Sequence, residues 1–126
     1  MGKSGLLTCL EKSDMLNRSA VSIDRLTEWG RVYEKEGQIN DAIDFYAKAS
    51  ATDALEKLLP LVREDGDVFA YGRIVKAIGR AVSAEEWVSL GRRAAELGKD
   101  AFAREAFKRG GMETAQEVES QGSAAH

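Results

Sequence analysis

WGRVYEKEGQINDAIDFYAKA, residues Trp29 to Ala49, holds no cluster of catalytic side chains, yet its glycines, aromatics and alanines fall at helical spacing. Leu26, Trp29, Val32 and Tyr33 line one face of a first helix at steps of three and four residues. Ala42, Ile43, Tyr46 and Ala49 line one face of a second. Gly37 closes the first helix. Two apolar stripes joined by so few residues bury against each other antiparallel, so the stretch reads as a helical hairpin.

The same design returns further along the chain. Trp87, Leu90, Gly91 and Ala94 precede Gly98, and Ala103, Phe107 and Gly110 follow it. The interval from Gly30 to Gly91 is the same as that from Gly37 to Gly98, from Ala42 to Ala103 and from Tyr46 to Phe107. A constant offset marks a repeat, and this one leaves room for a further hairpin between the two. TDALEKLLPLVREDGDVFAYGRIVKAIGRA supplies it. Thr52 or Asp53 is expected to cap a helix carrying Leu55, Leu58, Leu59 and Val62; after the Asp65-Gly66 turn, Ala70, Ile74 and Ala77 reproduce the spacing of Ala42, Tyr46 and Ala49.

No stretch alternates like a strand, and Ala, Glu, Lys, Arg and Leu dominate, so the chain is expected to be all-α. The breaks predict three hairpins, over residues 22–50, 51–82 and 83–111. A helix within 1–21, capped by Ser4 and carrying Leu6, Leu7 and Leu10, would cover the first hairpin, and a short helix over 112–120 with Met112, Ala115 and Val118 would cover the third. The tail 121–126 has nothing to bury and is expected to be disordered.

A chain of 126 residues, 44% hydrophobic and 31% charged, is sized for one compact domain with its own core. Its net charge of -3 gives no general attraction to nucleic acid or anionic lipid. Cys9 is the only cysteine, so no disulfide forms within the chain; it is expected to be a small core residue in a reducing, cytoplasmic setting. Neither a secretory signal nor a membrane span is expected: the N-terminal apolar patch is interrupted by Thr8 and Glu11, and no apolar run approaches the roughly 20 residues that cross a bilayer.

These residues resemble the tetratricopeptide repeat, a helix-turn-helix unit of about 34 residues with the pattern W-x2-L-G-x2-Y, then A-x3-F, then P. Trp87-x2-Leu90-Gly91 matches the opening, Leu26-x2-Trp29-Gly30-x2-Tyr33 matches it with Trp and Leu exchanged, and Ala42-x3-Tyr46 and Ala103-x3-Phe107 match the second half. The middle unit departs, with Lys57-Leu58 where Leu-Gly is expected, and the closing Pro is replaced by Ala54 and Ala115. The resemblance covers roughly residues 22 to 114 and implies a right-handed α-α superhelix of about three hairpins; another helical-hairpin repeat or a plain bundle is the alternative. Gly30 and Gly91 sit mid-helix, where Gly costs about 1 kcal/mol relative to Ala, so each implies a close approach that a Cβ would block. Pro60 predicts a kink or a helix start.

Little points to catalysis. The sole histidine is His126, in the tail, and no phosphate loop, nucleophile elbow or paired-cysteine motif is present. Asp41 with Asp44, and Glu85 with Glu86, read as solvated faces or first-turn dipole partners, and Asp65-Gly66-Asp67 as a turn with a helix cap rather than a calcium loop. No cofactor or metal is expected. The basic stripe Arg73, Lys76 and Arg80, with Lys108 and Arg109, shows no interleaved aromatics, so nucleic acid is not an expected partner.

The resemblance implies a concave groove lined by the first helix of each hairpin, where a peptide or partner protein binds. Its places fall on Thr27, Arg31, Glu34 and Lys35, then Leu55, Leu59, Val62 and Arg63, then Val88, Arg92 and Ala95. Thr27 and Arg31 occupy the positions where members that clamp a terminal carboxylate carry Lys and Asn, so such a clamp is not supported. The expectation is Arg31 and Arg92 flanking an apolar floor of Leu55 and Leu59, fitted to a peptide with acidic and leucine-like side chains. The chain then reads as a non-catalytic adaptor or scaffold. A self-associating assembly module, such as a homodimer, is the alternative; an enzyme subunit or a nucleic-acid-binding repeat is a lesser one.

Overall fold

Short polar side chains open several of the helices, and left-handed residues follow their ends. Residues 6–17 and 22–112 are described in a computed structural model; they form α1 (Cys9–Asn17), α2 (Ile23–Lys35), α3 (Ile39–Lys48), α4 (Thr52–Glu64), α5 (Val68–Ile78), α6 (Ala84–Glu96) and α7 (Asp100–Arg109), with no strand among them. The Ser22 hydroxyl accepts from the Arg25 amide to start α2. Ser83 does the same for the Glu86 amide at α6, where the Glu86 carboxylate reaches back in a capping box. Asp67 caps α5 through the Ala70 amide, at 3.0 Å, as the turn reading expected. Gly37 ends the α2 turn with φ +79 while Gln38 donates to the Tyr33 carbonyl at 2.8 Å; Gly98 and Lys99 repeat the motif after α6.

The chain forms two compact units, the first ending at Lys57 and the second beginning at Leu58, so the division falls inside α4. In the first unit α2 packs on α3, and α1 also packs on α3. In the second, α6 packs on α7, and α5 packs on both. The constant offset of the sequence repeat carries α2 onto α6 and α3 onto α7 with no slip at either end, and it places α1 within the span of α5. What is repeated is thus a three-helix motif, once in each unit.

The mid-helix glycines explain how each pair closes. A Cβ on Gly30 would stand 2.5 Å from the Tyr46 ring, and one on Gly91 would stand 2.7 Å from the Phe107 ring. Each ring lies on backbone that a glycine has bared. Phe45, fully buried and stacked on Tyr33 at 5.4 Å between centroids, completes the first seam.

Several expectations are corrected. α1 starts at Cys9 behind a reciprocal Thr8–Glu11 cap, not at Ser4, which lies outside the described residues. None of its residues is buried; Cys9 is exposed instead of sitting in a core, and Leu10 is 84% exposed. Polar bonds hold this helix: Lys12 pairs with Asp41 and Asp44 at 2.6 Å each, and the Leu7 amide donates to the Tyr33 hydroxyl at 3.0 Å. Thr52 and Asp53 lie inside the first turn of α4 instead of capping it, and Ala77 is exposed. Pro60 does not start a helix, since it lies inside α4, which runs on to Glu64. The helix expected over 112–120 lies outside the described residues apart from Met112, which packs on the Val88, Ala94, Ala103 and Phe107 cluster; the tail 121–126 lies outside them entirely.

Two kinds of substitution test this packing. Gly30→Ala gains about 1 kcal/mol of helix propensity but overpacks a buried ring at a cost of about 1–3 kcal/mol, so a net loss of stability is expected, and the same for Gly91→Ala. Ser50 is the one non-glycine residue with positive φ among the described residues, at +54, and Gly111, its counterpart in the second copy, has φ +88. Ser50→Gly should therefore raise stability by roughly 0.5–1 kcal/mol. Urea denaturation of the three variants measures both signs.

Candidate interaction surface

The residues assigned to a groove do not share one environment. Thr27, Arg31, Glu34 and Lys35 lie on α2 in the first unit. Arg31 and Lys35 are exposed, the Thr27 hydroxyl donates to the Ile23 carbonyl at 2.9 Å, and Glu34 accepts from the Tyr46 hydroxyl at 2.7 Å. Leu55, also in the first unit, is buried, as are Leu59, Val62 and Val88 in the second. The apolar floor is thereby corrected: Leu55, Leu58, Leu59 and Val62 are the apolar stripe of α4, and all four are buried. Arg63 donates to the Tyr71 hydroxyl at 2.8 Å and lies over its ring, while Arg92 is half-buried and Ala95 exposed.

Nothing polar or charged is buried among the described residues, and no group of three or more His, Cys, Asp or Glu there is placed to hold a metal. An open depression along α2 is lined by Ser22, Asp24, Arg25, Glu28, Trp29 and Val32. It offers a shallow amphipathic wall with no enclosed chemistry.

The second unit carries a more organised surface. Phe69 from α5 meets Phe102 from α7 edge to face, with centroids 5.4 Å apart. The Arg109 guanidinium lies 5.4 Å from the Phe69 centroid and 5.1 Å from that of Trp87, and Lys99 stands 6.0 Å from Phe102. Trp87 in turn meets Tyr71 at 5.9 Å. Arg109 reaches this position because Gly72 has no Cβ: its terminal nitrogen occupies the space that atom would need. Glu105 fixes it from one turn earlier, accepting from the Arg109 Nε at 2.8 Å. Lys99 also donates to the Asp65 carbonyl at 2.6 Å, which together with Arg93 on the Glu64 carbonyl satisfies the end of α4.

The basic stripe carries no interleaved aromatics in the sequence, and of its residues the structure sets Arg109 against rings. The rings arrive from three helices at positions 69, 87 and 102, which no local window joins. Gly72 was the available signal, a third mid-helix glycine beside Gly30 and Gly91.

Three polar clusters have shifted ionisation. Partial burial alone would lower the Lys12 pKa, but bonds to Asp41 and Asp44 outweigh it and leave it raised. Burial and then the hydrogen bond to the Glu34 carboxylate push the Tyr46 hydroxyl far above its ordinary value. Burial would raise Glu86, but the Tyr71 hydroxyl, the Ser83 amide and Arg80 hold it below the usual 4.5.

Comparison with described protein families, curated proteins and solved structures finds nothing that matches this chain. No helix among the described residues is long and apolar enough to cross a membrane.

The ionisation pattern predicts where stability is lost. Lys12 and Tyr46 have folded pKa values above their unfolded ones, so their contributions are complete below the ordinary values of 10.5 and 10.0 and vanish as pH rises through the folded values. Glu86 is depressed, so its contribution is present above 4.5 and vanishes as pH falls through its folded value. Trp29 lies in the first unit and Trp87 in the second. Fluorescence of a Trp87→Phe variant should report loosening above about pH 10, and that of Trp29→Phe should report loosening in acid that Glu86→Gln makes less steep.

Proposed function

We propose that the chain is a non-catalytic protein-interaction module built from tetratricopeptide-like hairpins, acting as an adaptor or scaffold. The observation that carries this reading is the row of cations and half-exposed rings on the second unit, which no core requirement explains: Phe69 remains 45% exposed while ordered by Arg109 and Phe102. Aromatic and arginine side chains held in place at a surface are the usual anchors of protein interfaces. Right-handed superhelical stacking, binding of a peptide or protein segment and a reducing cytoplasmic setting belong to the same proposal, the last suited to the exposed free thiol of Cys9.

A second reading, self-association, is favoured by Leu10 and Ile23, which are 84% and 63% exposed in the first unit. Sedimentation across a micromolar concentration range separates the two. The adaptor reading expects a monomer, and affinity capture from the native cell that returns the same partner repeatedly and loses it with Phe69→Ser. A concentration-dependent dimer abolished by Leu10→Glu would favour the second reading, and a Phe69→Ser variant that retains every partner would remove the observation on which the first rests.

A further inference from the structure

Helix α1 falls within the span that α5 occupies in the second copy, yet the two helices are anchored differently. On α5 Val68, Ala70, Tyr71, Ile74 and Val75 are buried. The constant offset carries these onto Leu7, Cys9, Leu10, Ser13 and Asp14, of which Leu7 is half-buried and the rest are exposed. Within α1 no residue is buried, and its most covered side chains, Lys12, Met15 and Leu16, are half-buried. Apolar burial therefore docks α1 far more weakly than α5.

The hairpin on which α1 lies closes without it. The Tyr46 ring on Gly30 and the Tyr33–Phe45 stack both join α2 to α3. Ala94 and Ala106 stand at the places of Tyr33 and Phe45 in the second copy, so the first hairpin supplies from its own helices a ring pair that the second lacks. A charge contact ties α1 to this hairpin. Lys12 reaches Asp41 and Asp44 on α3 at 2.6 Å each with only 19% of its side chain exposed, where salt screens an ion pair less than at an open surface. Burial alone would lower the Lys12 pKa, and the two carboxylates more than reverse this, so docking favours the charged form. The Leu7 backbone also bonds the Tyr33 hydroxyl, and water can serve both partners when they separate.

We propose that α1 is a strap latched by Lys12, which undocks and unfolds while the α2/α3 hairpin stays closed. A helix of 9 residues is too short to persist alone in water, so undocking and unfolding are one event. This opening lies at the low end of the chain's free-energy scale, because few apolar contacts are lost in it. It uncovers the Tyr33 hydroxyl together with Asp41 and Asp44, and whatever removes the Lys12 charge shifts the balance toward the open form. The second unit does not open in this way, since the five buried side chains of α5 would have to leave with their helix.

Hydrogen exchange of the full chain, read by mass spectrometry on peptides spanning α1, α2, α3 and α5, tests the strap. In the wild type the α1 amides are expected to exchange at least about tenfold faster than those of the other three helices. Lys12→Met keeps the aliphatic stem and removes the charge, so it should speed α1 by a further factor of about three or more and leave α2 and α3 unchanged. The Asp41→Asn, Asp44→Asn double variant should speed α1 from the other side of the latch, and Lys12→Arg, which retains the charge, should match the wild type. Protection of α1 equal to that of α2 and α3, α1 exchange unchanged in Lys12→Met, or loss of protection across all three helices in that variant each overturns the strap. The adaptor reading rests on the second unit and stands or falls separately.

Discussion

The close contact of an aromatic ring with a bared helix backbone governs the rest of this structure. Tyr46 on Gly30 and Phe107 on Gly91 bring paired helices nearer than side chains normally allow, because the glycine removes the atom that would hold them apart. The contact also fixes rotation. Once Tyr46 faces Gly30, helical periodicity turns Ala42 and Ala49 into the same seam, and both are buried. Translation is fixed by the short turn, whose left-handed Gly37 or Gly98 directs the chain back within one helix diameter. A glycine mid-helix costs about 1 kcal/mol, and that cost is offset by the close packing it permits.

These hairpins were legible in the sequence because every one of their determinants is local. Ser22, Gly37, Ala42 and Tyr46 act within a short span of chain, and their echoes in the second copy supply the confirmation that a single hairpin lacks. The groove was less legible. Periodicity identifies Leu55, Leu59 and Val62 as an apolar stripe but is silent on whether it stays open to a ligand, and all three are buried. Cys9 and Leu10 failed for the opposite reason. Their apolar character suggested burial, whereas α1 is held by Lys12 and the Leu7 backbone and needs no buried face. The cation and ring surface was beyond local reading, since Phe69, Trp87 and Phe102 become neighbours only when α5, α6 and α7 pack.

An internal repeat supplies something a single domain does not, two instances of one backbone problem within one chain. Positions occupied alike in both copies are those the backbone dictates: serine at the α2 and α6 caps, glycine under the rings, glycine in the hairpin turns. Positions that differ show how much latitude the backbone leaves. Ile43 is buried, whereas Arg104, its equivalent, is exposed. The fold therefore does not require an apolar residue there, and the difference reflects what each copy has beside it.

That comparison separates the arginines as well. Arg31 and Arg92 are equivalent by the same offset, and each lies immediately after the glycine that receives a ring. Their retention in both copies is compatible with a role in the repeat itself, and the charge of Arg31 acts on the Tyr46 hydroxyl in the first. Arg109 differs. Its counterpart is Lys48, a lysine cannot present the planar group that lies between two rings, and the glycine that makes room for it faces Glu11 in the alignment of the copies. A residue that has three specific neighbours, Phe69, Trp87 and Gly72, none of which the other copy shares, marks where the second copy departs from the first.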